Sequence, residues 1–420
     1  MPPTPRTVLI SGASIAGPAL AFWLRRHGMT PTVVERAPAL RGGGQTVDLR
    51  GAGRTVVRRM GLEDAARKRL THEEGLRFVD SADRTRATFG ADSLGGEGFV
   101  IELEILRGEL ADLLHQETRA DTEYVFDNEI TALHQTETGD GVDVSFRQGP
   151  DRHFDLVVLA DGFRSRTRDL VFGDRARISS FGLCTAYFTI PRAASDGRWA
   201  RWYNAPGRRV VLLRPDNQGT TRASLSFLSR PGPGAGPDHR TPALRRLPAA
   251  AQQEFLRRHY ADAGWETPRV LDGMAASEDF HFEAVGQLHL PRWSHGRIGV
   301  LGDAAHCASP LSGMGTSLAL VGAYVLAGEL ARHADHRVAF RSYETIMRPY
   351  VAQAQRVPKA APFVAHPKTR AGVEVFRTLA GIAASPRVGG LAGRFTNPPA
   401  DAIDLPDYGG DLPDGGGGEA

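Results

Sequence analysis

Short runs of consecutive apolar residues alternate along the chain with longer stretches of helical periodicity, the pattern of buried parallel strands joined by covering helices. Thr7–Ser11 (TVLIS) is the first run, and it leads directly into Gly12-Ala13-Ser14-Ile15-Ala16-Gly17. A helical stretch from Pro18 to His27 follows and Gly28 ends it. Thr32–Glu35 (TVVE) supplies a second strand, so the chain opens with a β-α-β unit of roughly 30 residues, which implies a parallel sheet and a right-handed crossover. Helices are expected at Arg54–Met60 and Glu104–Thr118, the latter with Ile105, Leu106, Leu110, Leu113 and Leu114 on one face. Thr71–Phe99 mixes strand-like and turn-like pieces, and Asp155–Ala160 (DLVVLA) reads as another buried strand.

From Phe181 to Pro231 the pattern changes to β-rich segments (CTAYFTI, RRVVLLR, RASLSFL) separated by turns rich in Gly, Pro, Asn and Asp. A Pro/Gly loop (Arg230–His239) and a helix near Ala249–Ala263 come next, before Arg297–Leu301 (RIGVL) restores the buried-strand pattern and a long apolar helix, Ser317–Leu330, follows. The expected fold is mixed α/β (α+β in part): a discontinuous Rossmann-like domain from residues 1–75, 98–175 and 290–345, with an inserted β-sheet domain from 76–97 and 176–289. C-terminal helices are expected over 346–396 and a mobile tail over 397–420, which ends in GGGGEA.

Composition narrows the function classes. With 41% hydrophobic and 24% charged residues in 420, the chain is an ordinary globular protein with sizeable cores. The pI near 9.0 rests on 51 basic against 48 acidic residues scattered along the chain, so no nucleic-acid partner is expected. Two cysteines, Cys184 and Cys307, lack disulfide or metal spacing, which fits a reducing, cytoplasmic compartment and no metal. The polar, Pro-rich start is unlike a signal peptide, and the longest apolar run, Leu318–Leu330, is too short for a membrane span.

Three constellations carry chemistry. In Gly12–Gly17, Gly12 permits the tight turn, Gly17 the close helix packing, and the free N–H groups at the helix start favour a pyrophosphate, while Glu35 suits ribose hydroxyls. Ser14 stands where the fingerprint has its second glycine, and its hydroxyl can donate to phosphate. Asp161 in Ala-Asp-Gly-Phe-Arg-Ser-Arg-Thr-Arg (160–168) and Asp303 in Gly-Asp-Ala-Ala-His (302–306) each follow an apolar strand, at the edge where ligands of parallel sheets bind; helix capping is the alternative reading of both. Pro310 and Gly313-Met314-Gly315 then open a second helix N-terminus toward anionic charge.

These motifs, in this order and across Thr7–Leu330, resemble the class A FAD-dependent monooxygenases, the para-hydroxybenzoate hydroxylase family; Arg41-Gly-Gly-Gly-Gln-Thr-Val-Asp48-Leu49 resembles the tetracycline-inactivating and polyketide-tailoring hydroxylases within it. The resemblance implies FAD, with Gly12, Ser14, Ile15, Ala16, Gly17, Glu35 and Arg36 on its ADP half and Arg107 beside it. By the same resemblance Arg41 and Asp48 would lie near the flavin, Asp161 would help bind FAD and the nicotinamide, and Asp303 would take the ribityl and pyrophosphate side. It also implies that Pro310, Gly313, Met314, Gly315 and Thr316 face the flavin ring. It further implies NAD(P)H as a transient electron donor, O2 as co-substrate, and hydroxylation of an aromatic or polycyclic, polyketide-like molecule through a C4a-hydroperoxyflavin, with no catalytic side chain assigned. Gly322, where many relatives carry Asp, is expected to loosen that edge of the helix.

Alternation along the β-rich region nominates Tyr187, Trp202, Tyr203, Arg214 and Phe227 as substrate-facing, with Phe181, Phe188 and Met274 as further liners and core packing as the competing assignment. His281 and His289 are candidate acid/base groups, whereas His306 and Cys307 read as structural. Trp-Ala-Arg-Trp-Tyr-Asn (199–204) departs from the Trp-x-Trp-x-Ile-Pro pattern of flavin halogenases. Baeyer–Villiger oxidation, epoxidation or dehydrogenation on the same scaffold, and a non-catalytic flavin- or ligand-binding protein, stand as alternatives.

Overall fold

The computed structural model describes residues 6–90, 103–137, 139–229, 240–385 and 400–409. Two sheets organise it. The first has six strands in the order Ser294–His295, Ile298–Val300, Leu156–Leu159, Thr7–Ser11, Thr30–Val34 and Glu123–Val125, parallel apart from the hairpin at its first edge. Val8, Leu9, Ile10, Val157 and Val158 are fully buried, as consecutive apolar positions require when both faces of a sheet are covered. Helix Ala16–Arg26 follows the first strand and packs on helix Gly315–Arg332, with Trp23 and Tyr324 edge to face at 4.8 Å.

The second sheet has seven strands in the order His281–His289, Arg177–Pro191, Thr220–Leu228, Arg209–Pro215, Ala200–Ala205, Gly75–Val79 and Thr85–Gly90. All pairs are antiparallel except Ala200–Ala205 with Gly75–Val79. Successive side chains point to opposite faces. One set (Ala186, Phe188, Tyr203, Val211, Leu213, Leu225, Phe227) packs against Leu256, Tyr260, Val270 and Met274 of helices Ala249–Tyr260 and Thr267–Ala276.

The structure amends the sequence reading in several places. Glu104–Leu106 is a strand paired with Thr46–Asp48, and the helix starts only at Arg107; Ile105 and Leu106, adjacent and both fully buried, fit a covered strand as well as a helix face. Helix Thr267–Ala276 is an addition to the sequence reading; it contains Gly273, which is needed there because a Cβ would collide with Ile190. The three-stranded sheet between Ile130 and Phe154 was also missed. Part of the segment expected as a mobile tail is docked. Tyr350 donates to the Ala400 carbonyl (2.9 Å), Tyr408 to Glu329 (2.7 Å) and Tyr324 to the Pro406 carbonyl (2.7 Å). Arg230–His239 and the remainder of the tail lie outside the described residues. So does the glycine run 95–98.

Gly322 does not loosen its helix. A Cβ there would stand 2.9 Å from Leu301, so the glycine brings the helix close to the strand that ends at the Gly302-Asp303 turn. Among the described residues no helix is long and apolar enough to cross a membrane.

Candidate active site

A continuous cavity of about 1780 Å³ is bounded by both sheets. One drug-sized ligand occupies roughly 300–1,000 Å³, so there is space for a dinucleotide and a second molecule.

At one end the Gly12–Ala16 turn enters helix Ala16–Arg26. Gly12 has φ +106° and a Cβ would lie 2.7 Å from the Ala160 carbonyl oxygen, while one on Gly17 would collide with the Gly12 carbonyl. Only glycine fits at either position. No side chain caps this helix, which leaves its first N–H groups directed outward. Glu35 accepts from the N–H groups of Ala13 and Ala37, both at 3.0 Å, and so braces the turn from the next strand. Ser14 has a definite partner: Arg107 donates to its Oγ at 2.9 Å and to the Gly43 carbonyl at 2.8 Å. Burial, reinforced by Arg41, lowers the pKa of Arg107.

Asp161 caps no helix. It accepts from Ser165 (2.6 Å) and Thr167 (3.1 Å), and Ser165 itself caps helix Arg166–Phe172. Asp303 begins a short helix after the left-handed Gly302 and opens its carboxylate onto the cavity although protein surrounds it; burial raises its pKa against a hydrogen bond from Cys307. Burial likewise pushes the Cys307 thiol up. Pro310, Gly313, Gly315 and Thr316 line the same wall at the uncapped start of helix Gly315–Arg332. His306 is buried against Trp293 (ring centroids 4.6 Å), and burial lowers its pKa to about 3.

Of the cofactor-site candidates, Gly12, Ser14, Ile15, Ala16, Glu35, Arg36, Arg41, Asp48, Arg107, Asp161, Asp303, Pro310, Gly313, Gly315 and Thr316 line the cavity, while Gly17 and Met314 are buried behind its wall. Of the substrate-side candidates, Tyr187, Trp202 and Arg214 line it. Tyr203 and Phe227 do not: they belong to the opposite parity, and Tyr203 donates to the Ala263 carbonyl at 2.5 Å inside the helix-side core. Phe181 and Met274 are core residues too, and Phe188, in the same core, also borders the cavity. His289 lies away from the cavity and His281 on it.

On the cavity side of the sheet, His281, Tyr187, Ser224, Leu212 and Trp202 are register partners on five successive strands and form one row. Burial and the cations Arg164, Arg41 and Arg107 lower His281 to about 4, so it is neutral at pH 7. Arg214 is not free to meet a ligand anion. It forms a two-point ion pair with Glu73 (3.0 and 2.9 Å), approaches Glu104 at 2.5 Å and donates to Thr46 at 2.6 Å. Glu283, beside His281, was not anticipated; its signal was the polar-apolar-polar run His281-Phe282-Glu283.

Residues 6–357 match the model of a family described as FAD binding domain. The chain belongs to the class A flavin-dependent monooxygenases. A flavin-dependent monooxygenase of Legionella longbeachae is 35% identical to it over 83% of this chain and 87% of its own. An FAD-dependent monooxygenase of Sarocladium schorii is 33% identical over 96% of this chain and 97% of that protein. Among solved structures, the tetracycline destructase Tet(55) is similar at a TM-score of 0.76 and 32% identity, covering 97% of this chain and 100% of that one. This monooxygenase therefore uses FAD, and its own residues fit the cofactor: a braced glycine turn, an exposed carboxylate at Asp303 and two uncapped helix starts border one cavity.

Proposed function

We propose that this class A monooxygenase hydroxylates a phenolic ring of a bulky, polycyclic small molecule, with NAD(P)H as transient electron donor and O2 as the oxygen source. The observation that carries the reading is the row from Trp202 to His281. Strands lie about 4.8 Å apart, so Trp202 and Tyr187, three strands apart, bracket a floor of roughly 14 Å made by Leu212 and Ser224. That width suits several fused rings, and the flanking aromatic groups suit their edges.

Bound FAD supplies the redox chemistry that activates O2. Glu35 would take the ribose hydroxyls, Ser14 and the first turn of helix Ala16–Arg26 the pyrophosphate, and Asp303 the ribityl side. Gly315 and Thr316 would offer backbone N–H groups to negative charge developing on the flavin ring. The sheet row excludes water from the ligand by covering one face with Trp202 and Leu212. Among the described residues no second strand and helix are joined by a turn with the Gly-x-x-x-x-Gly spacing of Gly12–Gly17, which supports a nicotinamide cofactor that visits and leaves.

The test is NADPH oxidation by the FAD-loaded protein with a panel of polycyclic phenols. At least one should accelerate it and yield a product one oxygen heavier; oxidation indifferent to every phenol would overturn the reading.

A further inference from the structure

The cavity wall holds a carboxylate that the mechanism above does not use. Glu283 leaves strand His281–His289 on the cavity face, two residues from His281. The groups that interact with it from neighbouring elements are charged or titratable. Asp303 and Cys307 come from the short helix and the residue after it, Arg164 from the loop after strand Leu156–Leu159, and Tyr187 from the neighbouring strand. Its register partner there is Thr185, which hydrogen-bonds Tyr187.

Among the described residues none donates a hydrogen bond to the Glu283 carboxylate, and Arg164 directs Nη2 to the Phe282 carbonyl (3.2 Å). The carboxylate is half-buried on the cavity wall; once a ligand covers it, a carboxylate without donors is unfavourable as an anion, and Asp303 beside it carries the same sign. It is stable as an acid, or as an anion once a ligand brings a donor. Burial, then Asp303, raises its pKa to about 7, against Arg164, so both forms are accessible near neutrality.

We propose that Glu283 is the base that takes the proton from the hydroxyl of a phenolic ligand lying along the Tyr187 row. The inference rests on the hydroxylase reading. The ligand O–H bond breaks, an O–H bond forms on the carboxylate, and the electron pair stays on the ligand oxygen, enriching the ring positions ortho and para to it. No oxidant or reductant enters this step. Burial keeps the Tyr187 hydroxyl protonated, so it can donate to the phenolate oxygen as charge develops.

The probes are 2-naphthol and its methyl ether, titrated into the FAD-loaded protein between pH 6 and 9 with binding read by fluorescence. A phenol donates to the ionised carboxylate, so wild-type affinity for 2-naphthol should tighten about 10-fold or more as pH rises through 7. Affinity for the ether should not tighten. Glu283→Gln should bind 2-naphthol weakly and without that pH dependence while keeping the ether and the flavin spectrum; Glu283→Asp, which retains a carboxylate, should recover part of the dependence. An unchanged pH profile in Glu283→Gln, or the same rise with the ether in wild type, overturns the assignment and leaves the hydroxylase reading standing. Wild type that binds and oxidises no phenol overturns the hydroxylase reading and this proposal with it.

Discussion

Replacing Arg214 by Met should destabilise the protein in a pH-dependent way. The guanidinium holds Glu73 by two bonds and Glu104 by one, and Glu104 stands directly opposite Asp48 in the strand pair 46–48/104–106, where two like charges would otherwise repel. Arg50 neutralises Asp48 at 2.7 Å. Without Arg214, two buried carboxylates lose their cation, and breaking a buried ion pair from one side costs about 3–5 kcal/mol. Burial, with Glu73 and Asp48, already raises Glu104 to about 8 despite Arg214. Its folded pKa therefore lies above the unfolded one, so its contribution is fully present below the unfolded value and is lost as pH rises through about 8. In the variant Glu104 escapes the penalty by protonation more readily at pH 6 than at pH 9. With a urea dependence of about 3 kcal/mol/M, the midpoint should fall by about 1–1.7 M at pH 9 and by less at pH 6. Urea unfolding followed by tryptophan fluorescence at the two pH values measures this, and the double variant Arg214→Met/Glu73→Gln should recover part of the loss. A change below about 1 kcal/mol at pH 9, or a larger loss at pH 6, would refute the assignment of Arg214 as a clamp between the sheet and the strand pair.

Three further outcomes are expected. Asp303→Ala should weaken FAD binding by about 10-fold or more, as expected for loss of a charge-assisted hydrogen bond, read by flavin fluorescence on titration; unchanged retention would remove Asp303 from the site. Gly12→Ala places a Cβ 2.7 Å from Ala160 at φ +106° and should abolish FAD binding, whereas Gly28→Ala, at φ +74° with open space around it, should cost only about 1–2 kcal/mol in thermal unfolding. Trp202→Leu should raise KM for a polycyclic substrate with little loss of stability, while Phe227→Leu should lower stability by about 1–3 kcal/mol with KM unchanged; equal effects of the two on KM would contradict the parity of the sheet.

The cofactor end of the cavity was legible because its signals are local. A strand, a glycine turn and a helix follow one another within twenty residues, and Glu35 is one strand away. The sheet side was harder because both of its faces are covered. In Ala200–Ala205 the residues of both parities are largely buried, so Trp202 and the adjacent Tyr203 looked alike in sequence although one borders the cavity and the other the helices. Arg214, nominated as substrate-facing, lines the cavity, but its partners Glu73 and Glu104 are more than a hundred residues away, and no local pattern announces an ion pair of that separation. The docking of residues 400–409 was hidden for the same reason: a Pro- and Asp-rich stretch reads as loop, and the tyrosines that hold it lie on distant helices. Glu283 was visible as a polar position in an alternating strand, yet only the neighbourhood of Asp303 and Tyr187 gives it chemical meaning.

The central claim is that an oxygen atom passes to a phenolic ring held against the sheet row. A turnover of the FAD-loaded protein with NADPH, 18O2 and an accepted polycyclic phenol tests it most directly, with the product analysed by mass spectrometry. The account predicts one 18O atom in the product for each NADPH consumed in the coupled reaction. NADPH consumption that yields only hydrogen peroxide across the phenol panel, or product oxygen derived from water, would contradict it.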